Sequence, residues 1–196
     1  YTAANKTFSA VSVPELPQSH ITAIMEDHAG NLWIGTKDSG LVILPDRNPA
    51  SASVYAAPEG IPCNNITAIY EDAERNVWVG TDGGGIVKYM LNIPKTRPEN
   101  APAPYVVMNA ASGLSSNKVL SVSGDREHNI WVGTFTGLNQ LGSGLFEIFS
   151  EQEGLNGLVW SVLQSRDGDI WFGTNEGVFR YAPQKPLSKV TASSLP

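Results

Sequence analysis

Asn31-Leu32-Trp33-Ile34-Gly35-Thr36 is written four times in this chain. It returns as Asn76-Val77-Trp78-Val79-Gly80-Thr81, Asn129-Ile130-Trp131-Val132-Gly133-Thr134 and Asp169-Ile170-Trp171-Phe172-Gly173-Thr174. The tryptophans stand 45, 53 and 40 residues apart, a period that marks a stacked or radially repeated architecture in which one repeat is one structural unit. Nine residues before each Trp a short apolar strand ends, at Ile24, Ile69, Val122 and Val162, and this constancy fixes register. Residues 26–30, 71–75, 124–128 and 165–168 between them carry the Asp- and Gly-rich chemistry of a hairpin, so each short strand turns back into a Trp strand.

After each Gly-Thr a second tight turn ends in Gly40, Gly85, Gly137 or Gly177, where glycine supplies positive φ before a third strand. Third strands are predicted at 41–44, 86–89, 138–141 and 178–181, and fourth strands at 53–56, 105–108 and 145–149. The last unit lacks a fourth strand. Residues 7–13, ahead of the first unit, alternate apolar and small polar side chains as a half-buried strand does.

Four-stranded antiparallel meanders at this period predict an all-β β-propeller of four blades, closed by the N-terminal strand completing the last blade. The alternative is an arc of a larger seven- or eight-bladed ring. A solenoid would show a shorter repeat with one strand per side. Residues 1–181 read as a single β-propeller domain, with a Pro-rich insertion at 92–104 whose four prolines remove ladder donors, and a frayed C-terminal tail at 182–196. In this architecture Trp33, Trp78, Trp131 and Trp171 form the structural core between neighbouring blades. The first strands line the centre, and the glycine two residues after each Trp leaves room for an adjoining backbone.

The composition narrows the function classes. Of 196 residues 41% are hydrophobic and 16% charged, and 19 glycines with 13 prolines suit many short strands joined by turns. A net charge of −6 argues against nucleic-acid binding by phosphate neutralisation. One cysteine, Cys63, excludes an internal disulfide framework, and no run approaches the roughly 18 apolar residues of a membrane span. A start at Tyr1 leads us to expect a processed N-terminus or a boundary within a longer polypeptide.

No catalytic constellation, metal site or cofactor is predicted. His20, His28 and His128 lack ligand spacing, and the last two read as solvated turn residues. Cys63 has no local Cys-His signature. Asp167-Gly168-Asp169 lacks the spaced oxygen ligands of a calcium loop, and no helix or Lys follows Asp82-Gly83-Gly84-Gly85 as a phosphate loop requires. Glu26-Asp27 and Glu71-Asp72 recur with the repeat, which points to turn and edge roles.

Alternating strand direction puts the loops entering each unit and the hairpins after each Gly-Thr on one rim, and loops on a rigid scaffold commonly carry recognition. The entries bring His20, Asn64, Asn65, Asn117, Lys118 and Asn156, and the hairpins bring Lys37, Asp38, Asp82, Phe135, Asn175 and Glu176. Trp160 stands where the other units hold Thr22, Thr67 and Leu120, so it lies outside the repeat pattern. It is read either as core filling or as an aromatic that stacks on a ligand or partner.

The pattern Ile-x-Ala-Ile-x-Glu-Asp-x-x-x-Asn-(Leu/Val)-Trp-(Ile/Val)-Gly-Thr-x-x-x-Gly-(Leu/Ile), at 21–41 and 66–86 and in weaker form at 119–138 and 159–178, resembles the two-component regulator propeller repeat. The resemblance implies a periplasmic or otherwise extracytoplasmic module of the kind that forms sensor-kinase input domains, some of which perceive oligosaccharides, commonly in seven-bladed rings. This chain has four repeats and none of the kinase or DNA-binding segments of such regulators.

The reading that follows is a non-enzymatic extracytoplasmic recognition module for a protein partner or a polar small ligand such as an oligosaccharide. A structural subunit docked on a larger membrane-associated complex is the second hypothesis, motivated by the short chain and its Pro-rich arm. A propeller lyase or glycan-active enzyme is the third.

Overall fold

The computed structural model describes residues 10–13, 16, 19–58, 60–91, 105–142, 145–182 and 188–189. They form four four-stranded antiparallel sheets, each a meander in chain order. The first holds β1 (Ile21–Glu26), β2 (Leu32–Thr36), β3 (Leu41–Leu44) and β4 (Ser53–Tyr55). The second holds β5 (Ile66–Glu71), β6 (Asn76–Thr81), β7 (Ile86–Met90) and β8 (Tyr105–Met108), and the third β9 (Val119–Gly124), β10 (Ile130–Thr134), β11 (Gly137–Leu141) and β12 (Phe146–Phe149). The fourth holds β13 (Val159–Gln164), β14 (Ile170–Thr174), β15 (Gly177–Tyr181) and β16 (Ser188–Lys189).

The Gly-Thr pair of each repeat has a local cause. Thr36 and Thr81 hydroxyls donate to the carbonyls of Gly40 and Gly85 at 2.8 Å, and Thr134 and Thr174 donate to Gly137 and Gly177 at 2.9 and 3.1 Å. Each threonine thus closes the hairpin that follows it. The accepting glycines lie at positive φ, where a Cβ is disfavoured.

Apolar residues collect between consecutive sheets. Trp33 packs with Ile66 and Tyr89 of the second sheet, Trp78 with Val119 and Val132 of the third, and Trp131 with Phe172 and Phe179 of the fourth. These three indoles are 2% exposed. Trp171, expected in the core with them, is only half-buried. The reason is its place in the series: each of the other indoles is covered by the sheet that follows, and no sheet follows the fourth among the described residues. The Arg180 guanidinium lies 5.9 Å from the centroid of the Trp171 ring instead.

The glycine two residues after Trp makes room for a side chain of the next sheet at Gly35 and Gly80, and for backbone as well as side chain at Gly133. A Cβ at Gly35 would fall 2.6 Å from Ile66 Cγ2, one at Gly80 2.6 Å from Val119 Cγ1, and one at Gly133 2.5 Å from the Val159 carbonyl oxygen and 2.8 Å from Val159 Cγ1. Ile66, Val119 and Val159, each the first residue of its sheet, are fully buried by this peg-and-socket contact.

Two expectations at the ends are corrected. The outer strand of the fourth sheet is β16, paired to β15 through Phe179 with Lys189 and Arg180 with Ser188, so part of the predicted frayed tail is a strand. A strand a few residues beyond Tyr181 closes a short loop, whereas recruiting the N-terminus would close one spanning the whole chain. Residues 10–13 belong to no strand, and Val13 and Leu16 pack on the outer face of the first sheet. Residues 7–9, the insertion at 92–104 and the rest of the tail beyond Ala182 lie outside the described residues. No described helix is long and apolar enough to cross a membrane.

Candidate functional site

The predicted rim is assembled by backbone bonds between entry loops and hairpins. Lys37 N–H donates to His20 O at 3.0 Å, Asp82 N–H to Asn65 O at 2.9 Å and Phe135 N–H to Lys118 O at 3.0 Å, each within one sheet. Other bonds cross to the preceding sheet, with Gly40 N–H donating to Asn64 O and Gly83 and Gly85 N–H to Asn117 O. The rim is therefore continuous across the first three sheets.

Several of its amides are committed to holding loops. Asn64 Oδ1 accepts from Ala57 N–H at 2.6 Å, Asn117 Oδ1 from Ala110 N–H at 2.7 Å and Asn175 Oδ1 from Leu158 N–H at 2.8 Å. Lys37, Asp38, His20, Asn156 and Glu176 are exposed.

One cluster ties the second and third sheets together. Lys118 Nζ lies 3.2 Å from Asp82 Oδ1 and 5.2 Å from the centroid of the Phe135 ring, while Asn65 Nδ2 donates to Asp82 Oδ2 at 3.2 Å. Phe135 remains 48% exposed. A cation, a carboxylate, an amide and an open aromatic face are thus held in fixed order, the mix that a polar ligand with an apolar face or a protein side chain engages.

Trp160 is 55% exposed, which removes core filling as its role. The register between β13 and β14 shifts between Val159 and Ser161, so Trp160 is the bulged residue at the rim end of its strand. A bulge re-aims one side chain out of the alternating pattern.

On the opposite rim the geometry holds two features that spacing alone did not disclose. The first is a recurring box: Asp27 Oδ2 accepts from Trp33 Nε1 at 2.8 Å, Asp72 Oδ2 from Trp78 Nε1 at 2.7 Å and Asp125 Oδ2 from Trp131 Nε1 at 2.7 Å. Burial works to raise the carboxyls of Asp27 and Asp72. The bonds from Trp33 and Asn31, and from Asn76 and Trp78, outweigh it and hold both below the usual carboxylate range. The second is a cleft of about 450 Å³ between the second and third sheets, lined by Tyr70, Asp72, Glu74, Asp125, Glu127 and His128 among others. Its signal in the sequence was the recurrence of charge in the first hairpins.

His28 differs from its expected role as a solvated turn residue. Its backbone N–H and Nδ1 both bond to the Glu71 carboxylate, which links the hairpins of the first two sheets. Among the described residues no group of three or more His, Cys, Asp and Glu side chains is placed to hold a metal ion.

The model of the two-component regulator propeller matches residues 15–38, 60–83, 113–136 and 153–176, one match per sheet. No curated protein is matched by sequence. Among solved structures, the extracellular domain of a protein described as the hybrid two component system BT3049 from B. thetaiotaomicron is 23% identical with a TM-score of 0.79 over 99% of this chain and 26% of that one. The extracellular domain of BT4673 from B. thetaiotaomicron is 24% identical with a TM-score of 0.67 over 90% of this chain and 25% of that one.

A virginiamycin B lyase from Staphylococcus aureus is 11% identical with a TM-score of 0.66 over 90% of this chain and 57% of that one. This chain thus spans about a quarter of the length of the two B. thetaiotaomicron domains. At these identities the likeness is one of fold, and the repeat carries the kinship: the chain belongs to the two-component regulator propeller family.

Proposed function

We propose that this chain is a non-enzymatic, extracytoplasmic recognition module of the sensor-input type, working as one propeller domain over residues 1–181 with its rim as the binding surface. The observation that carries the reading is the cluster of Asp82, Lys118 and Phe135, where an ion pair fixes a lysine beside an aromatic ring that stays half exposed. Exposed Trp160 on the next sheet adds a second aromatic face on the same rim. Flat aromatic faces flanked by charges and amides suit the apolar faces and hydroxyls of an oligosaccharide, or a loop of a protein partner. The extracytoplasmic placement and the sensor role are supported by the repeat family and by the extracellular domains of hybrid two component systems that share the fold.

The absence of catalysis is supported by the way the recurring carboxylates are spent. Asp27, Asp72 and Asp125 bind indole and asparagine donors of their own hairpins. Virginiamycin B lyase, which shares the fold, frames the competing reading, since one fold hosts unrelated activities.

Titration calorimetry against a panel of acidic and neutral oligosaccharides tests the proposal, with Phe135→Ala and Trp160→Ala beside the native chain. Both positions are exposed, so the variants are expected to keep the native melting temperature while affinity falls about 10-fold or more, the range of a lost aromatic anchor. Ligands that bind the variants as well as the native chain would remove the rim from the reading. Turnover of any panel member would remove the non-enzymatic part.

A further inference from the structure

Asn156 and Gly157 are the one Asn-Gly pair in the sequence, and they stand in the loop that leads into β13. Packing demands the glycine. Gly157 has a φ of +97°, where a Cβ is disfavoured, and a Cβ there would also fall 2.2 Å from Asn175 Oδ1. That oxygen is held against the loop by the Leu158 N–H, which donates to it at 2.8 Å.

The asparagine is left free. Every other described asparagine holds a side-chain hydrogen bond: Asn31, Asn76 and Asn129 donate to hairpin aspartates, and Asn64, Asn117 and Asn175 accept backbone N–H groups in the rim. Asn48, Asn65, Asn109 and Asn139 are bonded as well. Asn156 is exposed, and its amide meets no partner among the described residues. The Gly157 N–H, one peptide bond on, is also without an acceptor among them, and glycine has no side chain to screen it. The loop is fixed on either side, since Leu155 and Val159 are buried with Trp131 of the third sheet.

We propose that Asn156 is a modification site at which the chain deamidates itself. The Gly157 backbone nitrogen, on losing its proton to solvent base, attacks Asn156 Cγ. The new C–N bond closes a succinimide ring, and the side-chain nitrogen regains a proton and leaves as ammonia. Water then adds to either ring carbonyl and opens it to aspartate or isoaspartate, with no oxidant or reductant consumed. Asparagine is a thermolabile residue in general, and the bonded asparagines are protected because their amides must first break a hydrogen bond to reach the attacking nitrogen. The product puts a carboxylate on the rim, in the loop that leads to exposed Trp160. In its isoaspartate form it also lengthens the backbone between the buried residues Leu155 and Val159.

Incubation of the full chain in mildly alkaline buffer, followed by peptide mapping with mass spectrometry, tests this. Asn156 is expected to convert several-fold faster than every other described asparagine. Aspartate and isoaspartate should both form, each with a single heavy oxygen when the buffer is made with heavy-oxygen water. Ion exchange is expected to show a more acidic species that grows in the native chain and is missing from Asn156→Gln, whose longer side chain closes a ring less readily. In the urea-unfolded chain the bonded asparagines should gain rate while Asn156 changes little, which separates the folded loop from the dipeptide alone. Asn156 converting no faster than the bonded asparagines in the folded chain, or accelerating on unfolding as much as they do, overturns the proposal.

Discussion

Trp78 Nε1 donates to Asp72 Oδ2 across 2.7 Å, from a ring that is 2% exposed. Asp72 also accepts from the side chain and backbone of Asn76. The box lets the repeat bury an indole completely, because the one polar atom of the ring is satisfied inside the hairpin that precedes it. Asp72→Ala leaves that donor without its partner and is expected to cost about 1–3 kcal/mol, the penalty of a buried unsatisfied polar group. Asp72→Asn keeps an acceptor and should cost less. Urea titrations of both variants give the comparison, and an equal loss for the two would separate the indole bond from stability.

The same carboxylates set an acid limit. Asp27 and Asp72 are held below the ordinary value of 3.8 in the folded chain. As pH falls from there the unfolded chain takes up protons first, so folding loses the contribution of these groups between the unfolded value and the lower folded ones. Well above the unfolded value, from about pH 5 upward, that contribution is present in full. The melting temperature of the native chain is expected to fall more steeply below pH 4 than that of the Asp27→Asn, Asp72→Asn double variant. Parallel curves would show that other groups set the acid limit.

Gly35 and Ile66 form a second coupled pair, in which the missing Cβ of one is the space that the other fills. Gly35→Ala forces its methyl group against Ile66 and is expected to cost about 1–3 kcal/mol, the range of overpacking. Ile66→Ala opens a cavity at roughly 2–5 kcal/mol. The double variant should lose less than the two single losses together, since the new methyl occupies part of the vacated space. A double-mutant cycle on denaturant midpoints measures the coupling, and strict additivity would contradict the packing.

How much of this was legible in the sequence depends on whether its cause is local. The hairpin registers followed from the fixed distance between Ile24 and Trp33 and its three copies, because strand pairing is set by turn length. The carboxylates of Asp27 and Asp72 were visible as recurrent turn residues. Their bond to an indole six positions on was not, since it depends on how the ring folds back over the hairpin.

Among rim residues, spacing brought Asn64 and Asn117 to the right loops but left unseen that their amide oxygens are spent on Ala57 and Ala110 N–H. Trp160 was marked by its break with the repeat, and the bulge that exposes it is a property of pairing with β14. Ser188–Lys189 carries no apolar alternation, so its pairing could not be read from its own residues.

The unequal burial of the tryptophans predicts an unequal mutational series. Trp33→Ala, Trp78→Ala and Trp131→Ala remove rings that are 2% exposed and are expected to cost about 3–5 kcal/mol each. Trp171→Ala removes a half-buried ring and should cost only about 1 kcal/mol, near the centre of ordinary substitutions. Calorimetric unfolding of the four variants ranks them. A loss at Trp171 equal to the others would mean that its outer face is covered in solution.

The fourth sheet offers a test by reconstruction. Ser165 stands where Asp27, Asp72 and Asp125 stand in the other hairpins, and its buried hydroxyl has no hydrogen-bond partner among the described residues. Asp169 stands where the others have Asn, and its carboxylate pairs with Arg180 at 2.7 Å. The backbone is already right: Ser165 N–H donates to Asp169 O at 2.8 Å as Asp72 N–H donates to Asn76 O at 2.9 Å.

Ser165→Asp with Asp169→Asn therefore installs the carboxylate within reach of the Trp171 indole and the donor that steadies it, at the loss of one partly exposed ion pair worth about 0–1 kcal/mol. Two hydrogen bonds to a charged acceptor contribute more, about 1.5 kcal/mol or above apiece, so the double variant is expected to melt about 4 °C or more above the native chain. Ser165→Asp alone brings two carboxylates together beside Asp169 and should melt lower than the pair. A double variant that melts below the native chain would show that the box needs the following sheet to close over its indole.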